Sequence, residues 1–172
     1  MNDYQEILDY WFDGNKFRKF WFKKNNETDN YIKMRFYGLL QEAEKCNLNV
    51  WKDNPLSFFS LIIILDQFSR NIYRNNREQI IKNDKLCLTL CREIIEKGFD
   101  NKLTFSQKIF LLLPFRHSKD LYNIYYCIQK IILYKKKEIM DKDKTILFNK
   151  FLIASIQDLK NNLMVKKFIC YI

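Results

Sequence analysis

Residues 61–74 read LIIILDQFSRNIYR, and this stretch decides the fold. Five apolar residues, Leu61 to Leu65, run without a polar interruption. They then meet Asp66, Gln67, Arg70 and Asn71 before Ile72 and Tyr73. Upstream, Asn54 followed by Pro55 is a helix start, because proline tolerates the first helical position. On a helix begun there, the apolar residues from Phe58 to Leu65 cover every side, so the helix is expected at the centre of the molecule. Asp66 and Arg70 stand four apart and face each other, as do Gln67 and Asn71. A buried Asp66 has to be paired, since an isolated buried carboxylate is too costly, and Arg70 is the nearest cation.

Working outward, helical stripes recur. Tyr4, Ile7, Leu8 and Trp11 make one over residues 3–12; Ile32, Phe36, Leu39, Leu40 and Ala43 make another over 29–46. A fourth helix is expected over 83–97, ending at Gly98, a natural left-handed stop. TFSQ, residues 104–107, matches a capping box before KIFLLLPF. Pro114 should kink or stop that helix. Ser118 is then the expected cap of a sixth helix whose inner face is Leu121, Ile124, Tyr125, Ile128, Ile131 and Ile132. The last, from about residue 143, carries Phe148, Leu152, Ile156, Leu159 and Leu163. Only FFSLIIIL could pass for a buried strand. With three glycines and two prolines in 172 residues, the expectation is all-α: about seven helices as antiparallel hairpins, in a single domain over 1–172.

Composition narrows the functional classes. A chain 48% hydrophobic and 16% aromatic can bury a real core, about two-thirds of its unfolded surface. No apolar run reaches the roughly 18 residues that span a bilayer, and Met1-Asn2-Asp3 opens no signal peptide, so no membrane role is expected. Five cysteines fit no disulfide framework. Cys87 and Cys91 share a helix face with Leu90 and Ile94, where buried thiols go. Free thiols point to a reducing, cytoplasmic setting. With a single histidine, His117, no metal site and no cofactor are expected. The formal charge of +10 invites a nucleic-acid reading. Yet no arginine follows Arg116, and lysine acts as a point charge, so such binding would be non-specific and salt-sensitive.

LDQFSRNIYR followed some forty residues later by LLPFRHSKDL resembles the bacterial family called domain of unknown function 924. Its members show Leu-Asp-Gln-Phe-Pro-Arg-Asn and then Leu-Pro-Phe, a variable residue, and His-Ser-Glu-Asp. The opening ILDYWF, the second Trp-Phe pair at 21–22, Trp51 and the stretch GFDNKLTFSQKIFLLLPF agree with it, over roughly residues 4–132. The resemblance implies a tetratricopeptide-like helical fold and a polar pocket. The pocket falls on Asp66, Gln67, Arg70, Asn71, His117, Ser118 and Asp120, with Asp66 and His117 as the proton-exchanging candidates. Three departures stand out. Ser69 replaces the usual proline, which should make the helix more regular; Lys119 replaces an acid; and the family's later Arg-Phe-Gly-Arg-Phe-Pro-His-Arg-Asn segment is absent. No nucleophile elbow, metal motif or phosphate loop decides whether the chain is an enzyme. A small anionic ligand in the pocket is one reading, and a scaffold for a protein partner is the other.

Overall fold

The computed structural model describes residues 3–13 and 17–169, with side chains for 4–13 and 17–163. Met1, Asn2 and Cys170 lie outside the described residues. The described chain is helical: α1 (Asp3–Phe12), α2 (Asn26–Glu44), α3 (Pro55–Ile62), a π-helical segment (Ile63–Phe68), α4 (Ser69–Ile72), α5 (Arg77–Glu96), α6 (Phe105–His117), α7 (Leu121–Lys136) and α8 (Lys142–Ile169). Since α3, the π segment and α4 follow without a break, they form one rod, which makes seven helices among the described residues. No described helix is long and apolar enough to cross a membrane.

The chain divides into two compact units, Met1–Leu103 and Thr104–Ile172. In the first, the rod from Pro55 to Ile72 is the core element. Every residue from Ser57 to Ser69 along it is buried, and α1, α2 and α5 pack around it. Asn54 caps α3 by accepting from the backbone N–H groups of Leu56 and Ser57, with Pro55 at the first helical position. The core filling is aromatic: Phe68 meets Phe36 at 4.7 Å and Trp11 at 5.4 Å between ring centroids. The two Trp-Phe pairs are explained by one bond, as the Trp21 indole N–H donates to the Trp11 carbonyl at 2.9 Å. It fastens a 3₁₀ turn at Lys19–Trp21 onto the end of α1.

The regular helix expected at Ser69 is replaced by the π segment, and the hydrogen bonds explain why. The Ser69 N–H reaches back five residues to the Ile64 carbonyl. That displaces the bond the Leu65 carbonyl would have accepted from it in an α-helix, and the Ser69 hydroxyl takes the Leu65 carbonyl instead, at 2.5 Å. One turn earlier, the Cys87 thiol lies 3.7 Å from the Ile62 carbonyl. The serine that restores a backbone donor thus also satisfies the carbonyl that the wider turn leaves over.

The second unit is built from α6, α7 and α8, each packed on the other two. Thr104 and Gln107 form the expected capping box at α6. Pro114 does not end this helix, which runs three residues further to His117. Asp120, not Ser118, caps α7, accepting from the Asn123 N–H at 3.0 Å. Ser118 closes α6 instead, its hydroxyl donating to the Phe115 carbonyl at 2.7 Å. Tyr125, expected inside, faces solvent, and so do Ile156 and Leu163 of α8.

Two further boundaries differ from expectation. α2 starts at Asn26 behind an Asn25 cap, and α5 starts at Arg77, well before Asn83. Gly98 does end α5, at φ 70°. A Cβ added there would meet only Asn101 Nδ2, at 3.8 Å, an ordinary contact. Gly98→Ala should therefore cost backbone strain alone, about 1–2 kcal/mol in urea unfolding.

Candidate functional site

The π segment sets the site. Its wider turn buries Asp66 and Gln67 together on the rod, and α4 brings Arg70 alongside. Asp66 is fully buried. Its Oδ2 accepts from Gln67 Nε2 at 2.5 Å and its Oδ1 from Arg70 Nε at 3.3 Å. The four-residue spacing thus produces the expected ion pair, but the pair is part of a larger set. Arg70 Nη2 also donates to Asp84 Oδ1 of α5, at 2.5 Å, so one guanidinium ties two carboxylates. Burial opposes the Arg70 charge, while the charges and hydrogen bonds of Asp66 and Asp84 outweigh it and hold the group above its ordinary pKa.

Asn71 turns elsewhere. Its Nδ2 donates to Asp29 Oδ1 of α2 at 3.0 Å, and Arg74 grips the same carboxylate through Nε and Nη2 at 2.6 and 2.5 Å. Gln67 and Asn71, though four residues apart, thus bind different carboxylates, Asp66 and Asp29.

These residues line a cleft of about 240 Å³. Gln67, Arg70, Asn71 and Arg74 form one wall; Trp11, Phe20, Trp21 and Phe22 form an aromatic one; Lys23, Lys24, Asn25 and Thr28 close it. Four of the lining side chains are cationic and none is acidic. The carboxylates that hold the arginines do not line this cleft. Beside the cleft lies an open trough of about 450 Å³ that shares Lys24, Asn71 and Arg74 and adds Asn26, Asp29, Asn30, Lys33, Ile72, Tyr73, Asn75 and Asn76. Everything lining both belongs to the first unit.

His117, Ser118 and Asp120 sit at the α6–α7 junction of the second unit. His117 is the last residue of α6 and partly buried. Ser118 and Asp120 have the capping duties given above, and Ser118 Oγ also accepts from Asn123 Nδ2 at 3.1 Å. Lys119 between them takes φ 57° and pairs with Asp158 at 3.3 Å, as Arg116 does at 3.2 Å. The charge reversal at Lys119 thereby gains a partner within its own unit.

The family described as bacterial protein of unknown function (DUF924) matches residues 7–168. The chain belongs to that family. No curated protein matches it. A solved structure, of a protein of unknown function from Agrobacterium tumefaciens, is similar to this DUF924 chain at a TM-score of 0.76 and 23% identity. It covers 96% of this chain and 83% of that one. At that identity the likeness shows a shared fold. The DUF924 match extends past the region lacking the Arg-Phe-Gly-Arg-Phe-Pro-His-Arg-Asn segment, so the scaffold persists in this member without it.

Several site residues have no signature in this member's sequence. Asp84 and Asp29 lie 14 and 42 positions from the arginine and asparagine that they hold. Lys23 and Lys24 sit on the connection into α2 beside the second Trp-Phe pair, which was the only visible signal there.

The thiols divide cleanly. Cys87, Cys91 and Cys127 are buried and Cys46 is exposed. Burial pushes all three buried thiols up, Cys127 to about 11 and Cys87 well above its ordinary value. Because the thiolate is the reactive form, iodoacetamide at pH 8 should label Cys46 within minutes and leave these three unmodified until denaturant is added. Peptide mass spectrometry reads the order; early labelling of Cys87 or Cys91 would place them at the surface.

Proposed function

We propose that the cleft beside Arg70 binds a small anionic ligand. The observation that supports this reading is its lining: four cationic side chains, no acidic one, and the arginines fixed by Asp66, Asp84 and Asp29. A guanidinium held on a carboxylate frame keeps its remaining N–H groups aimed and loses little freedom when an anion arrives. Asp66, wholly buried, serves as the positioning group for Gln67 and Arg70. Lys23 and Lys24 are exposed and supply the charge that draws an anion in.

A thermal-shift and calorimetric panel of small carboxylates and phosphate monoesters tests the reading. Binding that weakens at least tenfold in Lys23→Glu/Lys24→Glu, and falls with added salt, is expected. Those lysines carry no packing role, so the variant should fold. Absence of binding across the panel, or binding indifferent to this charge reversal, would sink the proposal.

A protein-interaction role has its own observation: α7 exposes Tyr122, Tyr125 and Leu133. Together with Tyr126, these exposed apolar side chains on one helix suit a partner surface. A stoichiometric partner retained by the wild type and lost with Tyr122→Ser/Tyr125→Ser would favour this reading over the ligand cleft. Nucleic-acid binding through Lys135, Lys136 and Lys137 has less behind it, since Lys135 lies over the Phe148 ring at 4.7 Å. Unchanged heparin retention after their replacement by glutamate would close it.

A further inference from the structure

The trough beside the cleft constrains the rest of the ligand. Two stretches of the first unit build it. The first turns of α2 supply Asn26, Asn30 and Lys33, and the connection from α4 to α5 supplies Asn75 and Asn76. Among the described residues, the side chains of Asn26, Asn30 and Asn75 make no hydrogen bond. Asn76 spends only Oδ1, which accepts from the Gln79 N–H at 3.2 Å to cap α5. The acidic side chain of the lining, Asp29, is already satisfied, since Asn71 and Arg74 occupy its two oxygens. Apolar surface is confined to Ile72 and the Tyr73 ring, whose hydroxyl donates to Glu44 at 3.2 Å. The trough is therefore a wall of carboxamides with capacity to spare.

That wall is continuous with the cationic cleft, because Lys24, Asn71 and Arg74 line both. Arg74 commits Nε and Nη2 to Asp29 and keeps Nη1. An anionic group taken up there has the amides as its neighbours, and their chemistry selects what it is attached to. A carboxamide both donates and accepts, and a hydroxyl answers it in both senses. An alkyl tail would displace water from the amides and return no bond. A cationic tail would meet Lys24, Lys33 and Arg74. A second anionic group would use the amide N–H groups and leave the carbonyls facing a negative charge.

We infer that the ligand is a polyhydroxylated anion, a sugar phosphate or a sugar acid. Its anionic group lies in the cleft against Arg70, Lys24 and Arg74, and its hydroxyls exchange hydrogen bonds with Asn30, Asn75 and the amides beside them. This rests on the anion-binding reading above and adds the hydroxyls to it.

Calorimetry with two matched pairs tests it: glucose 6-phosphate against hexyl phosphate, and gluconate against hexanoate. In at least one pair the hydroxylated member should bind about tenfold tighter, the order expected for one or two added hydrogen bonds. The pair that shows the preference tells phosphate from carboxylate. Glucose itself should bind more weakly than either hydroxylated anion. Asn30→Leu/Asn75→Leu keeps the bulk and removes two exposed amides that bond to nothing else, so the variant should fold. It should bring the preference down to near unity and leave hexyl phosphate and hexanoate as they were. Equal binding within both pairs of the wild type overturns the inference, and so does a preference that survives the double substitution. Glucose binding as tightly as glucose 6-phosphate overturns the placement of the anionic group. In each of those cases anion binding sensitive to Lys23→Glu/Lys24→Glu leaves the broader reading standing; no binding by any probe or by the earlier panel removes both.

Discussion

Arg70→Ala should lower the unfolding free energy by about 3 kcal/mol in a urea titration, with the m-value unchanged. The reason lies in what the substitution leaves behind. Asp66 is fully buried, with Gln67 Nε2 on one oxygen and Arg70 on the other; without Arg70 it loses the guanidinium paired with its charge. Asp84, whose side chain is 17% exposed, loses its ion pair with Arg70 as well. Breaking a buried pair by removing one member costs roughly 3–5 kcal/mol, and the 30% exposure of Arg70 puts this case at the lower end. A surface pair supplies the contrast. Arg35 grips Glu6 through two bonds, but its side chain is 55% exposed, so Arg35→Ala should cost about 1 kcal/mol or less. Replacing Asp66 and Arg70 together by methionine should recover part of the loss only, because Asp84 still lacks its bond from Arg70 and the Gln67 amide its bond to Asp66. An Arg70→Ala loss within roughly 1 kcal/mol of wild type would mean that Asp66 is not charged in the folded protein.

Those contrasts also show what the chain reveals locally. Asn54-Pro55, Thr104 with Gln107, and Gly98 act through their own backbone within four residues, so their patterns read directly as helix ends. Asp66 and Arg70 are legible for the same reason, being one turn apart. The α5 start was hidden because Arg77-Glu78-Gln79 is polar: an Asn76 cap and solvated first turns leave no apolar stripe to read. Ser118 and Asp120 compete for one junction, and both are good caps. Lys119, at positive φ, fixes the choice by closing α6 before α7 begins. The cleft was the least legible part. Its frame depends on α2 and α5 bringing Asp29 and Asp84 to the rod, and its entrance on a loop whose only mark is a second Trp-Phe pair. The Ser69 reading failed because it weighed the restored N–H and not the hydroxyl, which stabilises a wider turn as readily as a regular one.

Phe68→Ala should be the other severe change, at about 3–5 kcal/mol of stability. Phe68 is fully buried at the end of the π segment. Its ring stands 4.7 Å from Phe36, 5.4 Å from Trp11 and 6.1 Å from Tyr10, centroid to centroid, so truncation removes three aromatic contacts as well as buried area. The elements around it come from α1, α2 and the rod, and rings of that size cannot collapse into the space without leaving their rotamers. Phe68→Leu keeps most of the volume and should cost roughly 1–2 kcal/mol. The two variants differ at the cleft as well. Gln67 is the next residue along the rod, and Trp11 belongs both to this cluster and to the cleft wall. Loss of Phe68 thus loosens Trp11 and Gln67, two parts of the cleft lining, together. Near-UV circular dichroism of the tryptophans should fall in Phe68→Ala below its melting temperature and hold in Phe68→Leu. A Phe68→Ala loss under about 1.5 kcal/mol, with the tryptophan signal intact, would show neighbouring side chains refilling the space. The aromatic cluster would then be a yielding core, and the cleft wall would owe its shape to the Trp21–Trp11 bond and the ring contacts of Phe20 and Phe22.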